Sequence, residues 1–214
     1  MIGVFSISPL KNNCLLEKTF THKEIHLEIK YNNTQVGLSE YYNNIIETHY
    51  RKFDTLIFCH HDVSLRYTNI QAVLDGLKQY DVVGVAGGIN PKIVEKNLWH
   101  WMMPKDSYRG IAGHSMDDQS MYVTSFGPTP SRVAILDGVF LALDSKKIYN
   151  SKARFDNNFK WHHYDIDFSL TCNYNKLKLG VWPILIQHDS PGLWNIDDIE
   201  WNRSNQYFIK KWSQ

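Results

Sequence analysis

The chain has 214 residues, 43% hydrophobic and 21% charged, enough to bury one sizeable core as a single domain over 1–214. Lys plus Arg number 23 against 22 Asp plus Glu, and this net charge of +1 excludes a general electrostatic pull toward nucleic acid or an anionic membrane. Three scattered cysteines, Cys14, Cys59 and Cys172, make no disulfide framework, and no apolar run reaches the ~20 residues of a membrane span, so a cytoplasmic protein with no integral membrane segment is expected.

In chain order, Ile2 to Ile7 and the alternating segment Glu24 to Lys30 predict two strands. Ser39 offers an N-cap for a helix whose buried stripe is Tyr42, Ile45, Ile46, His49 and Tyr50. Thr55 to Cys59 is a continuous apolar run, as in strands covered on both faces, and it stops at His60-His61-Asp62. Ile70, Val73, Leu74 and Leu77 predict the next helix and Asp81 to Ala86 the next strand. Between Gly87 and Pro130 the pattern dissolves, and a stretch that long in a compact domain reads as a functional loop or lid. Order returns with Val133 to Leu143, a helix from about Tyr164 to Asn173, a strand from Gly180 to Gln187 and a helical tail. This alternation predicts an α/β layer architecture with a mixed, mainly parallel sheet and helices on both faces.

Ligands of open α/β sheets bind beyond the carboxyl ends of the strands, so the polar clusters placed there are the candidates. His60-His61-Asp62 and His188-Asp189 each follow a strand, and His162 to Asp167 opens a helix. A carboxylate at a strand end offers a hard oxygen ligand to a divalent cation, whereas a polar turn explains the same residues without chemistry. Asp165 is either a general base aimed into the crevice or, with Asp167, a first-turn acid that stabilises the helix. The two lie roughly 200° apart around a helix, so only one of them can serve a given target. The segment Gly84 to Gly88 matches no phosphate-loop spacing and reads as a tight strand end. The chain is 14% aromatic, which suggests rings that bind something flat, and Trp99 and Trp101 either stack on a sugar or plug the core.

An ordered set of segments resembles the GT-A-fold, family 2-like glycosyltransferases, especially the small bacterial group typified by the streptomycin-biosynthesis glycosyltransferase domain. They are Asn32-Asn33, Gly37-Leu38-Ser39, Tyr42-Asn43, Phe58 to Val63, Val82 to Gly88, Leu136 to Phe140, Phe155-Asp156, His162 to Phe168, Ile186 to Gly192 and Asn205 to Trp212. The resemblance covers most of the chain outside Asn90 to Ser131. It implies a GT-A-like (Rossmann-like) fold that transfers a sugar from a nucleotide-sugar, foremost a UDP-sugar, to a saccharide or other hydroxyl acceptor with inversion. Polysaccharide biosynthesis is the setting such enzymes suggest.

By the same likeness residues 1–88 form the donor half and 132–214 the acceptor half with its C-terminal helix, with the loop or lid region 89–131 between them. The family's D-x-D metal motif falls on His60-His61-Asp62, with His60 in place of the first Asp, and the histidine that completes the metal site falls on His188. Mn²⁺ or Mg²⁺ is the implied cofactor. The E-D base motif falls on Tyr164-Asp165 and keeps only the Asp, which makes Asp165 the catalytic base. Asn32, Asn33, Asn43, His61, Asp137 and Gly138 are the candidates on the donor side, and Tyr164 and Asp167, with Trp99 and Trp101 from the loop outside the resemblance, those on the acceptor side. Two rivals use the same residues: a metal-dependent phosphoester hydrolase, and a saccharide- or nucleotide-binding module without turnover.

Overall fold

A computed structural model of the protein describes residues 1–31, 35–115, 120–189 and 198–213. Strand β1 (Ile2–Ile7) leads through α1 (Leu15–Thr19) to β2 (His26–Lys30), and α2 (Leu38–His49) leads to β3 (Thr55–Cys59) and the short β4 (Val63–Ser64). Helix α3 (Ile70–Gln79) is followed by β5 (Val82–Gly84) and β6 (Ala86–Gly88). Then come β7 (Tyr108–Ser115), β8 (Met121–Gly127), β9 (Ser131–Val133), β10 (Ile135–Leu136) and β11 (Phe140–Asp144). The chain closes with α4 (Ser145–Ser151), α5 (Tyr164–Tyr174), β12 (Leu179–Val181), β13 (Gln187–His188) and α6 (Ile199–Trp212).

Among the described residues a seven-stranded sheet runs in the order β2-β1-β3-β11-β5-β12-β9. β1 is parallel to β2 and β3, β12 is parallel to β5, and β11 is antiparallel to both β3 and β5. Five strands therefore share one direction, and β11 and β9 oppose it. Every residue of β3 is buried, and so are Phe140 to Leu143 of β11. Successive side chains of a strand point to opposite faces, so both faces of the sheet centre are covered. Helix caps follow the local chemistry: the Asn69 side chain accepts from Gln71 N at 3.0 Å, Asp144 from Lys147 N at 3.0 Å, and Asp198 from Glu200 N at 3.1 Å. Each such cap contributes about 1 kcal/mol to its helix. Helix α2 begins one residue before Ser39, with Gly37 as its N-cap, because the Ser39 hydroxyl instead donates to Phe159 O at 2.6 Å.

A second, six-strand group carries β10-β6-β7-β13-β4, with β8 paired to β7. Four of its strands continue strands of the first sheet: β4 follows β3, β6 follows β5, β10 follows β9, and β13 follows β12. The segments expected as single strands, Asp81 to Ala86 and Gly180 to Gln187, are thus each divided between two sheets. Their breaks, together with the β3–β4 turn, make a seam along the carboxyl edge of the first sheet. The stretch 89–131, expected as a loop or lid, holds the β7–β8 hairpin. At two points of its β7 strand, Gly110 and Gly113, neighbouring backbone lies too close for a side chain. Gly110 has φ +107°, and a Cβ there would sit 2.0 Å from Val85 O. The three cysteines are buried and free, and among the described residues no helix is long and apolar enough to cross a membrane.

Candidate active site

The seam gathers most of the polar residues singled out in the sequence. His60 and Asp62 sit in the turn between β3 and β4, Asp137 and Gly138 between β10 and β11, His188 on β13, and Tyr164 and Asp165 at the start of α5. Backbone hydrogen bonds lock these pieces together: His60 N donates to Val139 O at 3.1 Å, Asp189 N to Asp62 O at 2.9 Å, and Asp137 N to Ala86 O at 2.9 Å.

His60, Asp62 and His188 each present one ligand atom, and these atoms lie within 4.8 Å of one another. Asp62 Oδ1 is 3.4 Å from His188 Nε2 and 3.8 Å from His60 Nδ1. Asp62 Oδ1 and His188 Nε2 are buried, yet neither has a hydrogen-bond partner of good geometry. His60 Nε2 lies 3.0 Å from the Tyr164 hydroxyl, which donates to Gly138 O at 3.2 Å. A carbonyl only accepts, so assigning the single Tyr164 proton to Gly138 O makes His60 Nε2 the donor to Tyr164. His60 Nδ1 then carries its lone pair toward Asp62. Two acceptors facing each other across a buried gap fit a cation better than they fit an empty site. The donor set is one carboxylate oxygen and two imidazole nitrogens, which suits Mn²⁺ better than Mg²⁺.

The charges in the cluster are coupled. Burial works against the Asp62 carboxylate, but the His188 contact and the neighbouring His60 outweigh it and hold its pKa below the usual range. Burial likewise opposes a charged His188, and Asp62 reverses that and raises it. Burial lowers His60 and the half-buried His61.

Asp165 faces the same seam from α5. Its Oδ2 accepts from Gly138 N at 2.9 Å, while burial and then the Asp137 charge push its carboxyl up to about 7. Asp137 Oδ1 accepts from Val139 N at 2.9 Å, which fixes the tight turn. Only glycine fits at 138, since a Cβ there would fall 2.3 Å from the Tyr164 hydroxyl and 2.9 Å from Asp165 Cβ. The seam therefore holds a cation-ready cluster and a carboxyl of near-neutral pKa, connected through Tyr164 and Gly138.

Several residues expected at the site are placed elsewhere. Asp167 is fully buried beneath α6, where its Oδ1 takes Lys211 Nζ at 2.8 Å and Trp212 Nε1 at 2.8 Å, so it has no access to an acceptor. The Asn43 amide clamps Phe155, accepting from its N at 2.9 Å and donating to its O at 2.8 Å, which leaves it a scaffold role rather than donor contact. Trp99 plugs the core, with its ring 5.3 Å from Tyr108 and 5.4 Å from Phe126, while Trp101 is half-buried. Asn32 and Asn33 lie outside the described residues. Two histidines that sequence reading passed over, His100 and His114, are close enough to Asp137 for its charge to act on both. Their signal was hidden because both fall in the stretch whose strands could not be read.

No family model matches the chain, and no curated protein matches it either. Solved structures match it in fold. A197 from STIV is 14% identical, with a TM-score of 0.57, over 88% of this chain and 85% of that one. S. aureus TarS is 9% identical, with a TM-score of 0.53, over 88% of this chain. GalNAc-T7, in a structure with UDP, GalNAc and Mn²⁺, is 11% identical, with a TM-score of 0.59, over 98% of this chain. The chain spans 36% of TarS and 47% of GalNAc-T7. Likeness at these identities shows the fold, and the fold is the GT-A type of glycosyltransferases.

Proposed function

We propose that the protein is an inverting glycosyltransferase that moves a sugar from a nucleotide-sugar, foremost a UDP-sugar, to an acceptor hydroxyl. The observation that carries this reading is the pairing, on a GT-A fold, of the His60–Asp62–His188 cluster with the carboxyl of Asp165 at a pKa of about 7. A proton acceptor tuned near neutrality is what general-base activation of a hydroxyl needs.

Asp62 Oδ1, His60 Nδ1 and His188 Nε2 would hold the divalent cation. When bound, that cation would neutralise charge growing on a diphosphate leaving group. Tyr164 orients His60 through the 3.0 Å contact, keeping its Nδ1 lone pair directed inward. Asp165 takes the acceptor's proton as the acceptor oxygen bonds to the anomeric carbon. The bond from that carbon to the diphosphate breaks on the opposite side, which inverts the centre and releases the nucleoside diphosphate. Gly138 N holds Asp165 in place, and burial together with the Asp137 charge keeps its proton affinity high. Residues 1–88 serve the donor and 132–214 the acceptor in this scheme.

The test is calorimetric titration with UDP, run with Mn²⁺ and with chelator, on the protein and on Asp62→Ala. Binding that requires both Mn²⁺ and Asp62 is expected. UDP binding that ignores chelator and survives Asp62→Ala would remove the cluster from the donor site.

A further inference from the structure

Cross-strand register aligns three side chains in one row. His188 of β13 is the register partner of His114 on β7, and His114 is the partner of Tyr122 on β8. Register partners project from the same face, and adjacent strands lie ~4.8 Å apart, so Tyr122 stands about 10 Å from His188 on the face that carries the cluster. The Tyr122 ring stacks on His114, with centroids 5.1 Å apart and planes at 28°, yet Tyr122 is 52% exposed. Farther along β8, where its register with β7 shifts, Phe126 packs on the buried Trp99 ring at 5.4 Å, which anchors the hairpin to the core. The other exposed tyrosines among the described residues do not share this setting: Tyr67 lies in the connection between β4 and α3 rather than in the His188–His114 row, Tyr174 ends α5, and Tyr207 on α6 is tied to Asn158 and Asp156.

We propose that Tyr122, backed by His114, is a stacking platform for a pyranose ring, the saccharide portion of the acceptor. This rests on the transferase reading for the word acceptor, and on the strand geometry for the platform itself. A pyranose offers an apolar face of C–H groups, and a tyrosine covers it while losing only two side-chain torsions. Stacking on His114 fixes those torsions in advance, which lowers the ordering cost of binding. The position favours a sugar over the nucleotide base. Ligands of such sheets sit beyond the carboxyl ends of the parallel strands, here β1 to β3, and His60 and Asp62 come from the end of β3. The hairpin is on the far side of the cluster, beyond β13 and β7, so a diphosphate held at the cluster points its base toward β1 to β3 and its sugar toward Tyr122.

The experiment is saturation-transfer NMR with the methyl pyranosides of glucose, galactose, mannose and N-acetylglucosamine, on the protein, Tyr122→Phe and Tyr122→Ala. A parallel UDP titration with Mn²⁺ is run on all three. Position 122 is exposed on an edge strand, so both substitutions leave the core intact. Saturation should reach the ring protons of at least one pyranoside, persist in Tyr122→Phe, and weaken about tenfold or more in Tyr122→Ala, with UDP affinity unchanged. The platform is overturned if no pyranoside binds the protein, if Tyr122→Ala binds as well as the parent, or if the loss falls on UDP, which would assign the ring to the base. Pyranoside stacking without binding of UDP or, titrated in the same way, of GDP, dTDP or CDP would instead remove the transferase reading and leave the platform standing.

Discussion

Asp165 and Asp167 are two residues apart on α5 and meet opposite surroundings. Asp167 points under α6, fully buried, and is held by Lys211 Nζ and Trp212 Nε1, each at 2.8 Å. Lys211 also reaches Asp156 Oδ2 at 2.8 Å, so one ammonium ties two carboxylates and fastens the last helix to the body. Asp165 points into the seam, takes a backbone N–H from Gly138, and has the negative charge of Asp137 as its electrostatic neighbour. Burial raises both carboxyls, but at Asp167 a protein cation works against the rise, while at Asp165 a second acid adds to it. A buried acid whose partner is a side chain of the same chain is structure. One poised to take up a proton beside a cation-ready cluster is what the proposed transfer calls for.

The comparison breaks most visibly in turnover. Asp165→Asn should lower kcat by about 10²- to 10⁴-fold, the usual contribution of a general base, and leave UDP affinity unchanged. Asp167→Asn, assayed where it is folded, should keep its kcat and lose thermal stability. If steady-state kinetics gave both variants the same loss, the division between the two faces of α5 would be wrong.

On the structural face the larger effect belongs to Lys211. Lys211→Met leaves Asp167 buried without its cation and should cost about 3 kcal/mol, the lower end for a broken buried pair because the lysine is partly exposed. Urea denaturation reads that cost, with kcat at low temperature unaltered. On the seam face Tyr164→Phe keeps the ring packed beside Tyr42 and Phe155 and removes only the hydroxyl that orients His60. Loss of an outer hydrogen bond of this kind weakens metal affinity about tenfold. Mn²⁺ titration in the absence of nucleotide checks it, and unchanged affinity would return His60 to a purely structural role.

What the sequence makes legible follows from where side chains find their partners. Strands β1 and β3 are readable to the residue because strands covered on both faces are near-continuous apolar runs, broken in β1 only by Ser6, whose hydroxyl donates to Cys59 O at 2.8 Å. Asp62, His188 and Asp165 are readable because a polar residue placed directly after a strand, or opening a helix, stands out locally. Asn43 and Asp167 are not, since their partners arrive from far along the chain; Phe155 is 112 residues from Asn43. The β7–β8 hairpin hides for another reason. Gly110 and Gly113 are demanded by neighbouring backbone rather than by an amphipathic pattern, so the alternation that announces a strand is missing. Helices α1 and α4, of five and seven residues, are too short to display a period.

The last effect is the one that joins the two sides of the comparison, because a single carboxyl sets both. Asp165 must be ionised to accept a proton, so kcat/KM should fall about tenfold per pH unit below about 7 and level off above it. The same raised pKa acts on stability with the opposite sense. The folded protein holds the Asp165 proton up to about pH 7, whereas the unfolded chain releases it near ~3.9, so between those values the folded state binds more protons and stability declines as pH rises. Above pH 7 both states have lost the proton and the penalty is constant. Asn carries no charge at any of these values, so Asp165→Asn should match the parent's Tm at pH 4 and exceed it at pH 8. Differential scanning calorimetry at the two pH values isolates this group, because every other titration is common to both proteins. An inactive variant that is more stable only on the alkaline side marks Asp165 as a site where the fold accepts strain for the sake of chemistry. A Tm difference that does not change with pH would place the carboxyl among ordinary surface acids.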